Sequence, residues 1–226
     1  GPTVGRLASP EERGPMNVYD YCSGTGSFSE AFLRRGHTVH RYDLDSRFAE
    51  VPFTQITNVC LLSPPEDANV VIGGPPCERY SVAGHFKHFR MENGFAVPRD
   101  AEARTAEEVT IRVRILGSKA RFLLLENPRG LMRKARSVEG LDRLTVWYCQ
   151  YGDERAKPTD LFGIFPLSFT PKTCHNGATD HAPAPRGAKS GTQGRDGSVD
   201  RARVPYDLSL ALCLACERDL PQEDQK

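Results

Sequence analysis

The sequence predicts a single α/β domain built on a doubly wound, mostly parallel sheet with helices on both faces. Three observations predict it. Short apolar runs, among them Val70-Val71-Ile72 and Phe122-Leu123-Leu124-Leu125, read as strands buried on both sides. The runs end in loops dense in chemically capable residues, where open α/β sheets bind their ligands. The 226 residues suffice for one sizeable core.

The elements follow in order. Residues 1–15 are polar and Pro/Gly-rich and are set aside as a disordered tail or tag remnant, with Gly1-Pro2 resembling a protease scar and Met16 a natural start. Asn17 to Tyr21 reads as a strand, and Cys22-Ser23-Gly24-Thr25-Gly26-Ser27 turns into a helical pattern through Phe28, Ala31, Phe32 and Leu33. A second strand, Thr38 to Tyr42, ends in Asp43-Leu44-Asp45. A third, 69–73, runs into Gly74-Pro75-Pro76-Cys77-Glu78-Arg79-Tyr80-Ser81. From Arg79 to Arg99 no period is visible, and Gly84 and Gly94 suit a mobile loop closing over a substrate. A helix is predicted over Ala101 to Ser118, then strands at 121–126 and 144–149. Residues 160–203 read as loop-rich, and a terminal helix starts at Tyr206. The domain thus spans 16–218, with 219–226 as a tail.

Three of these loops carry chemistry. Glycines between a strand and a helix let the backbone turn tightly and approach a ligand. Asp43 lies about twenty residues beyond them, where an acid suits the two hydroxyls of a ribose. Together they suggest a nucleoside cofactor. Pro75 and Pro76 fix φ and remove backbone donors, so Cys77 sits on a stiff mount suited to a nucleophile. Alone, Cys77 reads equally as a buried free thiol beside a turn. Glu126, at the end of the Arg121 to Leu125 run, precedes Asn127-Pro128-Arg129-Gly130. It is placed either to meet a ligand or to cap a short helix.

In this order, the motifs resemble the cytosine-5 DNA methyltransferase family. The matching residues are Asp20 to Phe28, Asp43, Asn69 to Gly84, and Leu125 to Gly130, with looser likeness through Tyr151-Gly152 to Lys157 and near Arg203-Val204-Pro205. The resemblance implies a Rossmann-like sheet of the class I S-adenosylmethionine-dependent methyltransferase type. It implies S-adenosylmethionine as cofactor, held by Tyr21, Cys22, Ser23, Gly24, Thr25, Gly26, Ser27, Phe28, Asp43, Leu44, Gly74 and Pro75. It makes Cys77 the nucleophile that adds to carbon 6 of cytosine and activates carbon 5. Glu126 would hold the N3 and N4 edge of the base, and Arg155 or Lys157 would orient it. The base would be flipped out of the duplex or taken from a single strand. Arg79, Ser81, Lys87, Arg90, Lys157 and Arg186 are the candidate contacts to the nucleic acid. The chain departs from the family in carrying Cys22 for Phe, Ser27 for Gly, Glu78 for Gln and Tyr80 for Phe. Gln55-Ile56-Thr57 lies where an Asp usually reads the adenine, and Asp153 to Lys157 replaces a Gln-Arg-Arg cluster.

Composition narrows the alternatives. A net charge of +1 is not the bulk basicity of a general nucleic-acid binder, although His85, Lys87, His88, Arg90, Arg99 and Arg104 cluster after Cys77. Seven cysteines without disulfide spacing, and no signal peptide or membrane span, suggest a reducing cytoplasmic interior and a bacterial or phage-encoded protein. Cys174-His175, His181 and the Cys213/Cys216 pair could supply zinc ligands. Because Cys213 and Cys216 fall in an apolar-rich helical run, they read as core residues, and no metal site is expected. DNA is the expected partner; RNA, a modified donor, or a catalytically weak DNA- or cofactor-binding partner subunit are the competing readings. Family members usually carry a separate domain that reads DNA sequence, whereas only about forty residues could do so here. The recognised sequence and the oligomeric state leave no trace in the chain.

Overall fold

The computed structural model describes residues 14–80, 85–175, 177–183 and 198–220. Ser81, Gly84, Arg186 and the tails 1–13 and 221–226 lie outside the described residues, as do the side chains of His85 and Phe86.

The strands are β1 (Asn17–Tyr21), β2 (Thr38–Asp43), β3 (Thr54–Ile56), β4 (Val70–Gly73), β5 (Phe89–Glu92), β6 (Phe95–Pro98), β7 (Phe122–Pro128), β8 (Asp142–Trp147) and β9 (Pro158–Ile164). The helices are α1 (Glu30–Arg34), α2 (His85–His88), α3 (Ala101–Leu116), α4 (Ser198–Ala202) and α5 (Tyr206–Asp219). Seven strands form one sheet in the order β3-β2-β1-β4-β7-β9-β8, and β5 pairs with β6 in a separate hairpin. Pairings from β3 through β7 are parallel, while β9 runs antiparallel to both β7 and β8. This is the Rossmann-like, class I methyltransferase type of sheet that the sequence predicts. Among the described residues no helix is long and apolar enough to cross a membrane.

The alternation of side chains explains why the central strands are apolar throughout. Val18, Val70, Ile72, Phe122 and Leu124 enter one core with α1 and α5, whereas Tyr21, Val71, Leu123 and Leu125 enter the other with α3. Cys213 and Cys216 are buried in the first core, as expected of cysteines on an apolar helix face. Met16 is buried there too, and its N–H donates to His37 Nδ1 at 3.1 Å. Asp100 caps α3 by accepting from the Ala103 N–H at 2.8 Å, which starts the helix where the sequence places it.

Four expectations change. The helix after the glycine turn is only the five residues of α1, and Phe28 precedes it. The stretch read as a mobile loop carries α2 and the β5–β6 hairpin, with Phe89 buried against Tyr80 at a ring separation of 4.9 Å. The strand expected at 144–149 is shifted to Asp142–Trp147, because its residues follow the register of β9. β9 itself occupies the start of the span read as loop-rich. Its Asp160 is buried and accepts two hydrogen bonds from Arg133, at 2.5 and 2.7 Å, and one from Thr145 at 2.8 Å. Polar and turn-forming residues (Pro158, Asp160, Gly163) hid this strand, and the Arg133 pairing is what lets an acid lie inside the sheet.

Candidate active site

Cys77 and Glu126 leave the sheet on neighbouring strands. β4 and β7 pair in parallel up to Gly73 opposite Leu125, so Glu126 is the next residue and Cys77 lies four positions past its strand. Both therefore rise from the carboxyl edge, the side on which such sheets bind ligands.

The Cys77 loop is anchored at several points. The Gly74 N–H donates to the Tyr21 carbonyl at 3.1 Å, and Asn127 Nδ2 donates to the Pro75 carbonyl at 3.4 Å. The Tyr80 N–H closes a tight turn on the Cys77 carbonyl at 3.1 Å. Beyond it, the buried Tyr80 hydroxyl donates to Glu107 of α3 at 2.6 Å, and Glu107 accepts in turn from the Ser137 N–H and hydroxyl. Gly130 closes the other side, for a Cβ there would lie 2.5 Å from the Tyr80 carbonyl oxygen. The Tyr80 hydroxyl thus ties the Cys77 loop to α3.

Glu126 is buried, and its Oε1 accepts from the Tyr148 hydroxyl at 2.7 Å. Lys157 Nζ stands 4.0 Å from the same oxygen, donates to the Arg201 carbonyl at 2.8 Å and lies 4.3 Å from the Tyr148 ring centroid. Lys157 holds a positive φ of 26°, a conformation a non-glycine residue keeps only where surrounding contacts impose it. Burial first, and then the negative Glu126, push the Cys77 thiol up to about 11, with Lys157 pulling the other way. At neutral pH the Cys77 thiol is therefore protonated.

Of the two basic candidates, Lys157 is brought to Glu126 and Arg155 is not. Arg155 Nη1 donates to the Pro183 carbonyl at 2.7 Å, away from the carboxylate. Tyr148 was missed by the sequence reading. An aromatic at the end of β8 carried no motif, and only the sheet order brings it opposite Glu126.

The glycine turn is built on a buried polar network. Gly24 and Gly26 have φ of +52° and +71°, which glycine adopts readily. A Cβ on Gly26 would lie 2.6 Å from the guanidinium of Arg41, which is buried and donates to Ser29, to the Gly26 and Pro52 carbonyls and to Glu30. Ser29 donates to Asp20 at 2.6 Å, and burial pushes that carboxyl up to about 6 against the pull of Ser29 and Arg41. Asp43 accepts from the Gly24 N–H at 2.7 Å and the Asp45 N–H at 2.9 Å, so it braces the turn as well as facing its mouth.

Several predicted cofactor contacts are placed elsewhere. Tyr21 and Phe28 are core residues, one in each core, and offer no free ring face. The Cys22 thiol packs partly against the α3 side, and burial pushes its pKa far up. Ser27 Oγ accepts from the Val204 N–H at 3.0 Å, which joins the turn to the segment before α5. Ser23, Gly24, Thr25, Gly26, Leu44, Gly74 and Pro75 stay around the turn and the end of β4. The residues present fit a nucleoside cofactor on one further ground. Ser23 Oγ and Asn127 Oδ1 are buried without a hydrogen-bond partner, and Leu44 beside Asp43 is 70 % exposed.

The candidate nucleic-acid contacts divide similarly. Arg79 pairs with Glu102 and lies 3.2 Å from His88 Nε2, and the exposed Arg90 pairs with Glu92 at 2.7 Å. Lys87 is exposed. An open cleft of about 680 Å³, lined by Tyr151 to Glu154 and Arg203 to Asp207, contains neither Cys77 nor Glu126.

No protein-family profile and no curated protein matches the sequence. Solved structures with a similar fold include the methyltransferase EhMeth of Entamoeba histolytica (TM-score 0.49, 14 % identity, 71 % of this chain and 57 % of that one). They also include the Dnmt2 methyltransferase of S. pombe (TM-score 0.45, 10 % identity, 66 % and 49 %) and a variant of Spodoptera frugiperda DNMT2 (TM-score 0.43, 12 % identity, 71 % and 55 %). The chain spans about half the length of these structures.

Proposed function

We propose that this protein is an S-adenosylmethionine-dependent methyltransferase that acts on carbon 5 of cytosine in nucleic acid, with DNA as the first substrate to test. The observation that carries the reading is Cys77 on a braced Pro-Pro loop, electrostatically coupled to a buried Glu126 on the adjacent strand. A thiol and a carboxylate in that relation suit nucleophilic addition to a pyrimidine held by its edge.

In this mechanism Glu126 and Lys157 hold the base, with the Tyr148 hydroxyl fixing the carboxylate. When the N4 amino group donates to Glu126 and a proton is shared between the carboxylate and N3, the negative charge on Glu126 falls and the Cys77 thiol is released from that repulsion. The thiol proton passes to solvent water, sulfur bonds to carbon 6 as the carbon 5–carbon 6 π bond opens, and the electron pair left on carbon 5 becomes nucleophilic. S-adenosylmethionine supplies the electrophilic methyl group when bound. Loss of the carbon 5 proton then expels the thiolate and restores the ring. Gly24 to Gly26, Ser23, Asp43 and Leu44 would hold the nucleoside of the cofactor.

The test is tritiated methyl transfer from S-adenosylmethionine to DNA and to RNA, with nucleoside analysis of the product. The expected result is 5-methylcytosine with the native chain and none with Cys77→Ala. Transfer that survives Cys77→Ala, or a product methylated elsewhere, overturns the reading.

A further inference from the structure

Outside the candidate active site, four side chains converge where the sequence leads one to expect no metal. Cys149, Cys174, Asp180 and His181 bring one ligand atom each to within 4.8 Å of one another. Cys174 Sγ lies 3.2 Å from Asp180 Oδ1 and 3.6 Å from His181 Nδ1, and His181 Nδ1 lies 3.1 Å from Asp180 Oδ1. Tetrahedral zinc with bonds of ~2.3 Å to sulfur and ~2.0–2.1 Å to nitrogen and oxygen has edges of about 3.5 Å between sulfur and either lighter atom. The same geometry gives about 3.3 Å between nitrogen and oxygen. The three separations fall within a few tenths of an ångström of those edges.

Two further observations point the same way. Among the described residues of 171–183 none lies in a helix or extended strand and none is buried. Hydrophobic burial therefore does not hold this stretch, the situation in which small segments rely on a metal or cross-link. Gln150 Nε2 meanwhile donates to Asp180 Oδ2, which leaves Oδ1 turned to Cys174 and His181. Such an outer hydrogen bond is how a ligating carboxylate is oriented.

We propose that Cys149, Cys174, Asp180 and His181 form a structural zinc site that clamps the segment after β9 to the end of β8. Two sulfurs, one imidazole nitrogen and one carboxylate oxygen make a closed four-ligand set, so the metal is structural and takes no substrate. The clamp holds Pro183 beside Arg155, on the loop that leads to Lys157. A second grouping, His37 with Cys213 and Glu217, has its polar atoms taken. His37 accepts from Met16 and donates to Glu217, which also receives two hydrogen bonds from Arg35.

The experiment is metal analysis of the purified full chain, with cobalt(II) substitution read by absorption. One zinc per chain is expected, retained in Cys60→Ala and lost in Cys149→Ala and Cys174→Ala. Cobalt should show tetrahedral bands and a thiolate charge-transfer band. In His181→Cys that band should grow by about half, because thiolates rise from two to three. This variant keeps four ligands and so speaks even if the alanine variants fail to fold. No bound metal after zinc loading, undiminished metal in Cys174→Ala, or an unchanged charge-transfer band in His181→Cys overturns the proposal. Release of a Cys149–Cys174 disulfide in place of metal overturns it as well.

Discussion

The electrostatic coupling between Glu126 and Cys77 predicts a change in thiol reactivity that can be measured without any substrate. The Cys77 thiol is raised from an ordinary 9.0 to about 11, by burial first and by Glu126 second. At pH 8 a thiol of pKa 11 is ionised to about one part in a thousand, against about one part in ten at pKa 9. Alkylation by iodoacetamide, mapped by mass spectrometry, should therefore modify Cys77 on the order of a hundredfold more slowly than an ordinary thiol. The exposed Cys60 serves as reference in the same sample. Glu126→Gln removes the repelling charge but leaves burial in place, so Cys77 should fall by less than one pH unit. Its alkylation at pH 8 should rise about three- to tenfold. Lys157→Met should act in the opposite direction. Cys77 reacting as fast as Cys60, or slower alkylation in Glu126→Gln, would refute the electrostatic reasoning.

Three other perturbations follow from particular contacts. Glu217 is depressed from 4.5 to about 2, because hydrogen bonds from His37 and Arg35 and the charge of Arg35 outweigh its burial. Its stabilisation is present above pH 4.5 and lost as pH falls towards 2, and is worth about 3 kcal/mol at neutral pH. Glu217→Gln should lower urea stability at pH 7 by that order and flatten the acid unfolding curve between pH 4.5 and 2. Gly130→Ala should displace the Tyr80 carbonyl and with it the Cys77 turn, reducing methyl transfer at least tenfold while far-UV circular dichroism stays native. Tyr80→Phe removes one donor from buried Glu107 and should cost about 1–2 kcal/mol in chemical denaturation.

Four of the five strands in the parallel part of the sheet were legible because their signal is local, whereas the three-residue β3 was not. Residues 70–73 and 122–125 are apolar and buried on both faces, whereas 17–21 and 38–43 are mixed and are marked by Val and Tyr ahead of the turn or acid that ends them. Cys77 and Glu126 were legible for the same reason, since a motif at a strand end fixes both residue type and position. The antiparallel edge was not. β9 is broken in sequence by Pro158, Asp160 and Gly163 and becomes a strand through pairing with β7 and β8 and through the Arg133–Asp160 ion pair, contacts distant along the chain.

The sequence by itself determined the α/β class, the glycine turn and the two residues on which the proposed chemistry rests. Local periodicity and short motifs carry that information without knowledge of the fold. Only the tertiary structure decided which cation meets Glu126, that Tyr21 and Phe28 belong to the core, and that Cys149 meets Cys174, Asp180 and His181. Each of these depends on residues brought together by sheet order and burial, and neither quantity is written in the spacing of the residues concerned.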